Sequence, residues 1–187
     1  MSDKSKDRRY QRTKRLLESA LIELLKNKNI YEVSIPDLAE AADISRATFY
    51  LHYKTPYDLL NQLENTMISN IVEEYQTHDI LDQYDFLLST YQFLQTHSEL
   101  LTILMNPTTG SNFSEKISIA IKMEYGRLWA QSLTYLTEQE RKYCGAFIID
   151  GYISVLKTWL QRGMKETPKQ MVELSRRFQY RILETEK

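Results

Sequence analysis

Four times along this chain a Ser or Thr is followed, three residues later, by a side chain able to reach back to it. The pairs are Ser34 with Asp37, Thr55 with Asp58, Thr137 with Glu140, and Thr167 with Gln170. At that spacing the hydroxyl oxygen accepts from an orphan backbone N–H of a starting helix, and the second side chain accepts from the first residue's own N–H. Pro56 and Pro168 follow their Thr directly, at the first helical position, where a missing N–H costs nothing. Periodicity agrees: residues 8–28 put Leu16, Leu17, Ala20, Leu21, Leu24 and Leu25 on one helix face. The punctuation predicts helices over 8–28, 35–42, 46–53, 56–76, 81–97, 114–135, 138–163 and 168–185. A loop is expected around Asn106 to Asn112, with Pro107 and Gly110, and Asn29 to Ser34 reads as a connector. Five Gly and four Pro in 187 residues supply too little turn chemistry for an all-β fold. The expected fold is all-α with about nine helices. A three-helix domain is expected over 1–54, and a helical body over 55–187, with helix 56–76 as linker.

Bulk properties narrow the function. Apolar residues make up 42% of the chain, enough to bury a core. The single Cys144 rules out an intrachain disulfide or a multi-cysteine zinc site, and fits a reducing cytoplasm; buried core is its expected place. Residues 1–15 are charged and lack the apolar core of a secretory signal. The richest apolar stretch, Cys144 to Leu160, is broken by Asp150 and Lys157 and is too short to span a membrane. Net charge is −1, but it is unevenly spread. Residues 1–56 hold 11 Lys/Arg against 8 Asp/Glu, and residues 57–187 hold 13 against 17. A basic front on an acidic body suits a protein that meets phosphate at one end; a solvated tail accounts for it equally well.

Residues 34–54 read as two short helices joined at Ala42-Asp43-Ile44, where Asp43 tolerates a left-handed backbone better than most non-glycines. Ile35, Leu38, Ala39 and Ala42 give the first helix an apolar side, and Phe49 and Tyr53, four apart, do so for the second. Arg46 can fork onto guanine O6 and N7, while Ala47 and Tyr50 can press on thymine methyls. Thr48, Tyr50, His52 and Lys54 can donate to phosphate oxygens, and free N–H groups after Ser34 can hold another phosphate. Arg8, Arg9 and Arg12 can follow the backbone or enter the minor groove. A bare pattern of this kind also fits an ordinary helical hairpin with a solvated face.

The string Ile44-Ser45-Arg46-Ala47-Thr48-Phe49-Tyr50-Leu51-His52-Tyr53-Lys54, followed by Asp58-Leu59-Leu60, resembles the TetR family of bacterial transcription regulators. The specific resemblance covers roughly residues 10–60. The expected DNA contacts are Ser34, Ser45, Arg46, Ala47, Thr48, Tyr50, His52 and Lys54. Two positions depart from the family's habit. Asp43 stands where the turn commonly has Gly, and Pro56 stands where a second Lys commonly adds a phosphate contact.

The resemblance implies a homodimer built by the last two helices. Gly151, Val155, Trp159, Leu174, Phe178 and Ile182 are the candidate interface residues, with intrachain core as the other reading. Pairing also follows from readout, since one helix-turn-helix contacts too few base pairs to define a genomic site. An effector pocket, as the family implies, belongs among the middle helices. Tyr91, Phe93, Leu104, Met105, Phe113, Tyr125, Trp129 and Phe147 are candidates, and each fits plain core as well. Asp150, an acid in an apolar run, is expected to pair with Arg127 or Arg162, with contact to a cationic ligand as the other reading. Gly163 is expected to end one helix before Thr167-Pro168 starts the next.

No cofactor, metal or catalytic constellation is legible. There is no glycine-rich phosphate loop, and His78 with Asp82 offers too few ligands. The expected function is sequence-specific regulation of transcription, as a repressor released by an unidentified small molecule. The expected partners are a pseudo-palindromic double-stranded DNA operator and a second copy of the chain, with no membrane. The alternatives are an activating or ligand-independent regulator, a helical interaction module without DNA binding, or an enzyme with an all-α ligand domain.

Overall fold

All four expected capping pairs close in the computed structural model of the chain. It describes residues 3–76, 83–132 and 135–183, without the side chains of 3–7, 75, 76, 83, 125–132 and 179–183. Ser34 Oγ accepts from the Asp37 N–H at 3.2 Å, Thr55 from Asp58 at 3.1 Å, Thr137 from Glu140 at 3.2 Å and Thr167 from Gln170 at 3.3 Å. The described residues hold helices and no strand. In chain order they are α1 (Asp3–Leu25), α2 (Ile35–Ala41), α3 (Arg46–Tyr50), α4 (Pro56–Gln76), α5 (Gln83–Thr96), α6 (Ser98–Leu104), α7 (Phe113–Ser132), α8 (Glu138–Gln161) and α9 (Pro168–Leu183).

Beyond shifts of a few residues at helix ends, with α1 over Asp3–Leu25 against the expected 8–28, three features differ from the sequence expectation. Helix α3 ends at Tyr50 rather than at 53, because the Leu51 and His52 N–H groups bond back only three residues, to Thr48 and Phe49. The connector before Ser34 contains a 3-10 turn, Ile30–Glu32, with its own capping box from Asn29 and Glu32. Helix α6 was not anticipated. It follows α5 after a single residue, His97, whose Nδ1 bonds to the Phe93 carbonyl oxygen at 2.9 Å. His97 is therefore at a helix end, but a second helix begins there. The expected left-handed residues do appear: Asp43 has φ 51 and Gly163 has φ 74. The Met164 N–H then closes on the Trp159 carbonyl at 2.9 Å, which terminates α8.

The chain forms two compact units. One contains Ile68–Thr102 and Ser114–Lys187, and its core joins α5, α8 and α9. Trp159 is 2% exposed, meets Tyr91 edge-on at 5.5 Å between ring centroids, and donates its indole N–H to the Glu166 carbonyl at 3.0 Å. The Tyr91 hydroxyl pairs with the buried Ser175 hydroxyl at 2.6 Å. Trp159, a candidate for the dimer interface, is thus spent inside its own chain. Asp150 takes partners other than Arg127 or Arg162: it accepts from Lys122 at 2.8 Å and Ser118 at 2.6 Å, tying α8 to α7. Those two donors, Lys122 first, hold its carboxyl below the usual range. Cys144 is half-buried rather than in the core.

The other unit contains Met1–Met67 and Ile103–Phe113. Leu17, Leu21, Leu38, Phe49 and Leu59 are completely buried in it. Leu16 is 40% exposed, so the apolar face of α1 is narrower than the sequence pattern implied. The loop after α6 is latched to this unit by side chains far away in sequence. Asn29 Nδ2 donates to the Thr108 carbonyl at 2.8 Å. The buried Glu64 carboxylate accepts from the Ser111 hydroxyl at 2.7 Å and from the Asn112 N–H at 3.0 Å. A carboxylate from α4 therefore serves the amino end of α7. Gly110 makes the approach possible. Its φ is 78, and a Cβ there would stand 2.8 Å from Asn29 Oδ1 and 2.9 Å from Ile30 Cγ2.

Gly110→Ala combines a left-handed backbone with that collision, so it is expected to cost about 2–4 kcal/mol in chemical denaturation. Stability within 0.5 kcal/mol of the parent, on the order of surface substitutions, would show that the latch is not rigid.

Candidate nucleic-acid interface

Helix α3 is one turn and a half of chain, built around Phe49, which is wholly buried, and Ser45, which caps it. Ser45 Oγ accepts from the Thr48 N–H at 3.1 Å, and the two hydroxyls bond each other at 2.8 Å. One of their two O–H protons is therefore used within the turn, and the pair has one donor left for a phosphate. Tyr53, 6% exposed, lies beside Phe49 with ring centroids 6.0 Å apart, so the inward pair read from the sequence is formed. Burial pushes the Tyr53 phenol well above its usual range, with Glu18 and Tyr10 adding to the effect.

Sealing that side turns the other side out. Arg46, Ala47 and Lys54 are exposed, and Tyr50 is 61% exposed. The neighbouring Leu51, unassigned by the sequence, is 79% exposed and adds an apolar surface of the kind that meets a thymine methyl. Thr48 is half-buried. Ser34 is exposed, but its N–H is already taken by the Asp37 carboxylate at 3.2 Å, and its Oγ holds the Asp37 N–H. The start of α2 thus has fewer free N–H groups than the sequence reading supposed, with a carboxylate among them. That carboxyl is held below its usual range, chiefly by the Ser34 N–H and then by Lys28.

His52 is less open than a phosphate donor needs to be on both nitrogens. Its ring stacks on Tyr10 at 4.2 Å between centroids, and its Nδ1 is buried without a partner. Burial lowers its pKa from the usual histidine range. Tyr10 was missed by the sequence reading. The available signal was its register, since Tyr10, Leu17 and Leu21 share one face of α1.

The described effector candidates fall in both units. Tyr91 is buried against Ser175, and Phe93 is stacked on His97 at 4.2 Å. Leu104, Met105 and Phe113 are core of the other unit. Phe147 is 63% exposed on α8, which removes it from any internal pocket. The side chains of Tyr125 and Trp129 lie outside the described residues, as do His78 and Asp82. Tyr152 was not foreseen: its hydroxyl is buried without a partner, and burial raises its pKa. Of the interface candidates, Gly151 is exposed, and a Cβ there would meet nothing within 4 Å of its own chain. Val155 and Leu174 are half-buried, Phe178 is 44% exposed, and the Ile182 side chain lies outside the described residues. Among the described residues, no helix is long and apolar enough to cross a membrane.

Known proteins fall in line with this geometry. Residues 17–63 match the family described as bacterial regulatory proteins, tetR family, and residues 81–180, more than half of the chain, match the transcriptional regulator C-terminal region. An uncharacterized HTH-type transcriptional regulator of Bacillus subtilis strain 168, YxbF, is 33% identical over 72 residues, 38% of this chain. That match spans only 19% of YxbF. A TetR transcriptional regulator from Streptococcus agalactiae 2603V has the same fold, with a TM-score of 0.71 at 19% identity, over 93% of this chain and 97% of that one. NalD, the secondary repressor of the MexAB-OprM multidrug efflux pump in Pseudomonas aeruginosa, follows with a TM-score of 0.63 at 20% identity, over 92% and 96%.

Within the first matched segment, α3 leans on its cap. Ser45→Ala is expected to cost about 1 kcal/mol in thermal or chemical denaturation. An unchanged midpoint would mean that the burial of Phe49 alone holds the helix.

Proposed function

The chain belongs to the TetR family of bacterial transcriptional regulators, and we propose that it is a homodimeric repressor that leaves its operator when a small molecule binds the helical body. Binding DNA to regulate transcription is the common ground of the family. The repressor sign, the effector and the residue roles are our reading. One observation carries the roles: Phe49 and Tyr53 are sealed inward while Ala47 points away from them and Arg46 and Tyr50, on the flanks, stay exposed on a capped helix. In the major groove, Arg46 forks onto a guanine, and Ala47 and Tyr50 meet thymine methyls. Ser34, Ser45, Thr48, His52 and Lys54 set the register on phosphates, with Lys54 taking the load where Pro56 supplies no amine.

A negative sign is supported by likeness to NalD, which is named a repressor. A dimer is supported by α8, whose exposed residues include Tyr143 at 69% and Phe147 at 63%, in line with the open face of Gly151. Phe147 thus replaces Trp159 as the interface anchor. An effector site in the second unit is supported by the orphan Tyr152 hydroxyl beside the Tyr91–Ser175 pair.

Base readout and phosphate clamping separate experimentally. Arg46→Ala is expected to relax preference at one position of each half-site by about 1–3 kcal/mol. Lys54→Ala is expected to weaken all duplexes alike and flatten the salt slope by roughly one. Both are read by titrating labelled duplexes across salt, and equal behaviour of the two variants would sink the assignment. Phe147→Asp is expected to yield monomers in sedimentation and to lose binding to the paired site. A dimer that persists unchanged moves the interface elsewhere.

A further inference from the structure

The first fifteen residues carry seven Lys or Arg and one aromatic side chain, Tyr10. Such a stretch has little reason to stay helical by itself. Arg8 and Arg12 are like charges four residues apart, which destabilises a free helix. Yet α1 runs without a break from Asp3. The anchor is visible. Tyr10 lies over His52, just past the end of α3, with ring planes 21° apart and centroids 4.2 Å apart. Tyr10, Lys14, Leu17, Glu18 and Leu21 share one face of α1. Lys14 and Glu18 pair at 3.7 Å with both side chains largely covered, and Leu17 and Leu21 are fully buried. The stack is the outer end of a seam that begins in the core and closes on the aromatic trio Phe49, His52 and Tyr53.

Two consequences follow from helix geometry. Arg8 and Arg12 fall on the side of α1 opposite Tyr10, Arg9 lies beside them, and all three are exposed. His52 Nδ1 is buried without a hydrogen-bond partner, which leaves Nε2 as the ring nitrogen to meet a phosphate, and the stack fixes where it points.

We propose that Tyr10 is a positioning residue for DNA binding: its stack on His52 locks the first turns of α1 to the end of the recognition helix, so that Arg8, Arg9 and Arg12 meet phosphates beside each half-site as a preformed basic arm. The arm is ordered before DNA arrives, so binding loses less entropy than a disordered tail would. The proposal rests on the DNA-binding reading and adds a part to it that no base contact requires.

The test uses the full-length protein and a duplex selected by it from a random library, with a scrambled duplex as control. Tyr10→Ala is expected to lose about tenfold in affinity and to flatten the salt slope by roughly two, because arm contacts disappear. It should keep the same preferred sequence and nearly the same melting temperature, since Tyr10 is 45% exposed. Tyr10→Phe keeps the ring and is expected to stay within about twofold of the parent, since the stack needs no hydroxyl. A variant with Arg8, Arg9 and Arg12 all changed to Ala should reproduce the slope loss, and adding Tyr10→Ala to it should change little more. A Tyr10→Ala protein with the parent's salt slope overturns the proposal, and so do losses that add fully between the two sets. If the parent itself fails to prefer the selected duplex over the scrambled one, the DNA-binding reading fails first, by a different readout.

Discussion

A helix of five residues cannot sustain itself in water, because nucleating it costs more than one turn of hydrogen bonds returns. α3 exists because Phe49 is buried completely and because α2, which packs on α1, offers it a surface. Burying one phenyl ring contributes about 1.5–3 kcal/mol, comparable to everything else the short helix has. That ring also sets the roll of the helix. One residue of slippage turns the helix about 100°, which would carry Tyr50 inward and Phe49 into water. The whole outward presentation of Arg46, Ala47 and Tyr50 is a consequence of where one aromatic side chain cannot be.

Local rules written in three- and four-residue spacings were legible without coordinates. The capping pairs, the left-handed Asp43 and Gly163, and the inward Phe49–Tyr53 pair need only their own neighbours, and each is found. Features that depend on distant partners were not. Asp150 reads as an acid in search of an arginine, but α7 presents Lys122 and Ser118 to it. Trp159 and Phe147 look alike in an apolar run. Only the packing of Tyr91 of α5 against Trp159 makes the first core, while the second stays exposed. Helix α6 escaped because seven residues carry too little periodicity to separate them from a loop. Tyr10 was visible only as one ring in a basic tail, since its partner lies 42 positions on.

The helical body concentrates its polar groups in an unusual way. The Tyr91–Ser175 hydroxyl pair is buried and the Trp159–Glu166 bond is part-buried, and each is matched. Tyr152, close enough to Tyr91 to feel it electrostatically, has no such match. Buried polar networks of this sort fix one arrangement of helices against alternatives that pure hydrocarbon packing would tolerate. The unmatched hydroxyl marks the place where that specification is incomplete.

The latch around Gly110 has a consequence for how such proteins can be recombined. The unit that holds α1 to α3 is not a continuous stretch of chain: Asn29 and Glu64 on one stretch bond to Thr108, Ser111 and Asn112 on another. A cut after Met67 would strip Glu64 of those donors and leave a buried carboxylate to find others. Ile30 would also lose the backbone of Gly110 that now lies against it. The reading head is therefore not a cassette that can be transplanted onto a foreign body at a linker. Any viable chimaera has to carry residues 103–113 along with residues 1–67, so the body can diverge freely only outside that short borrowed segment.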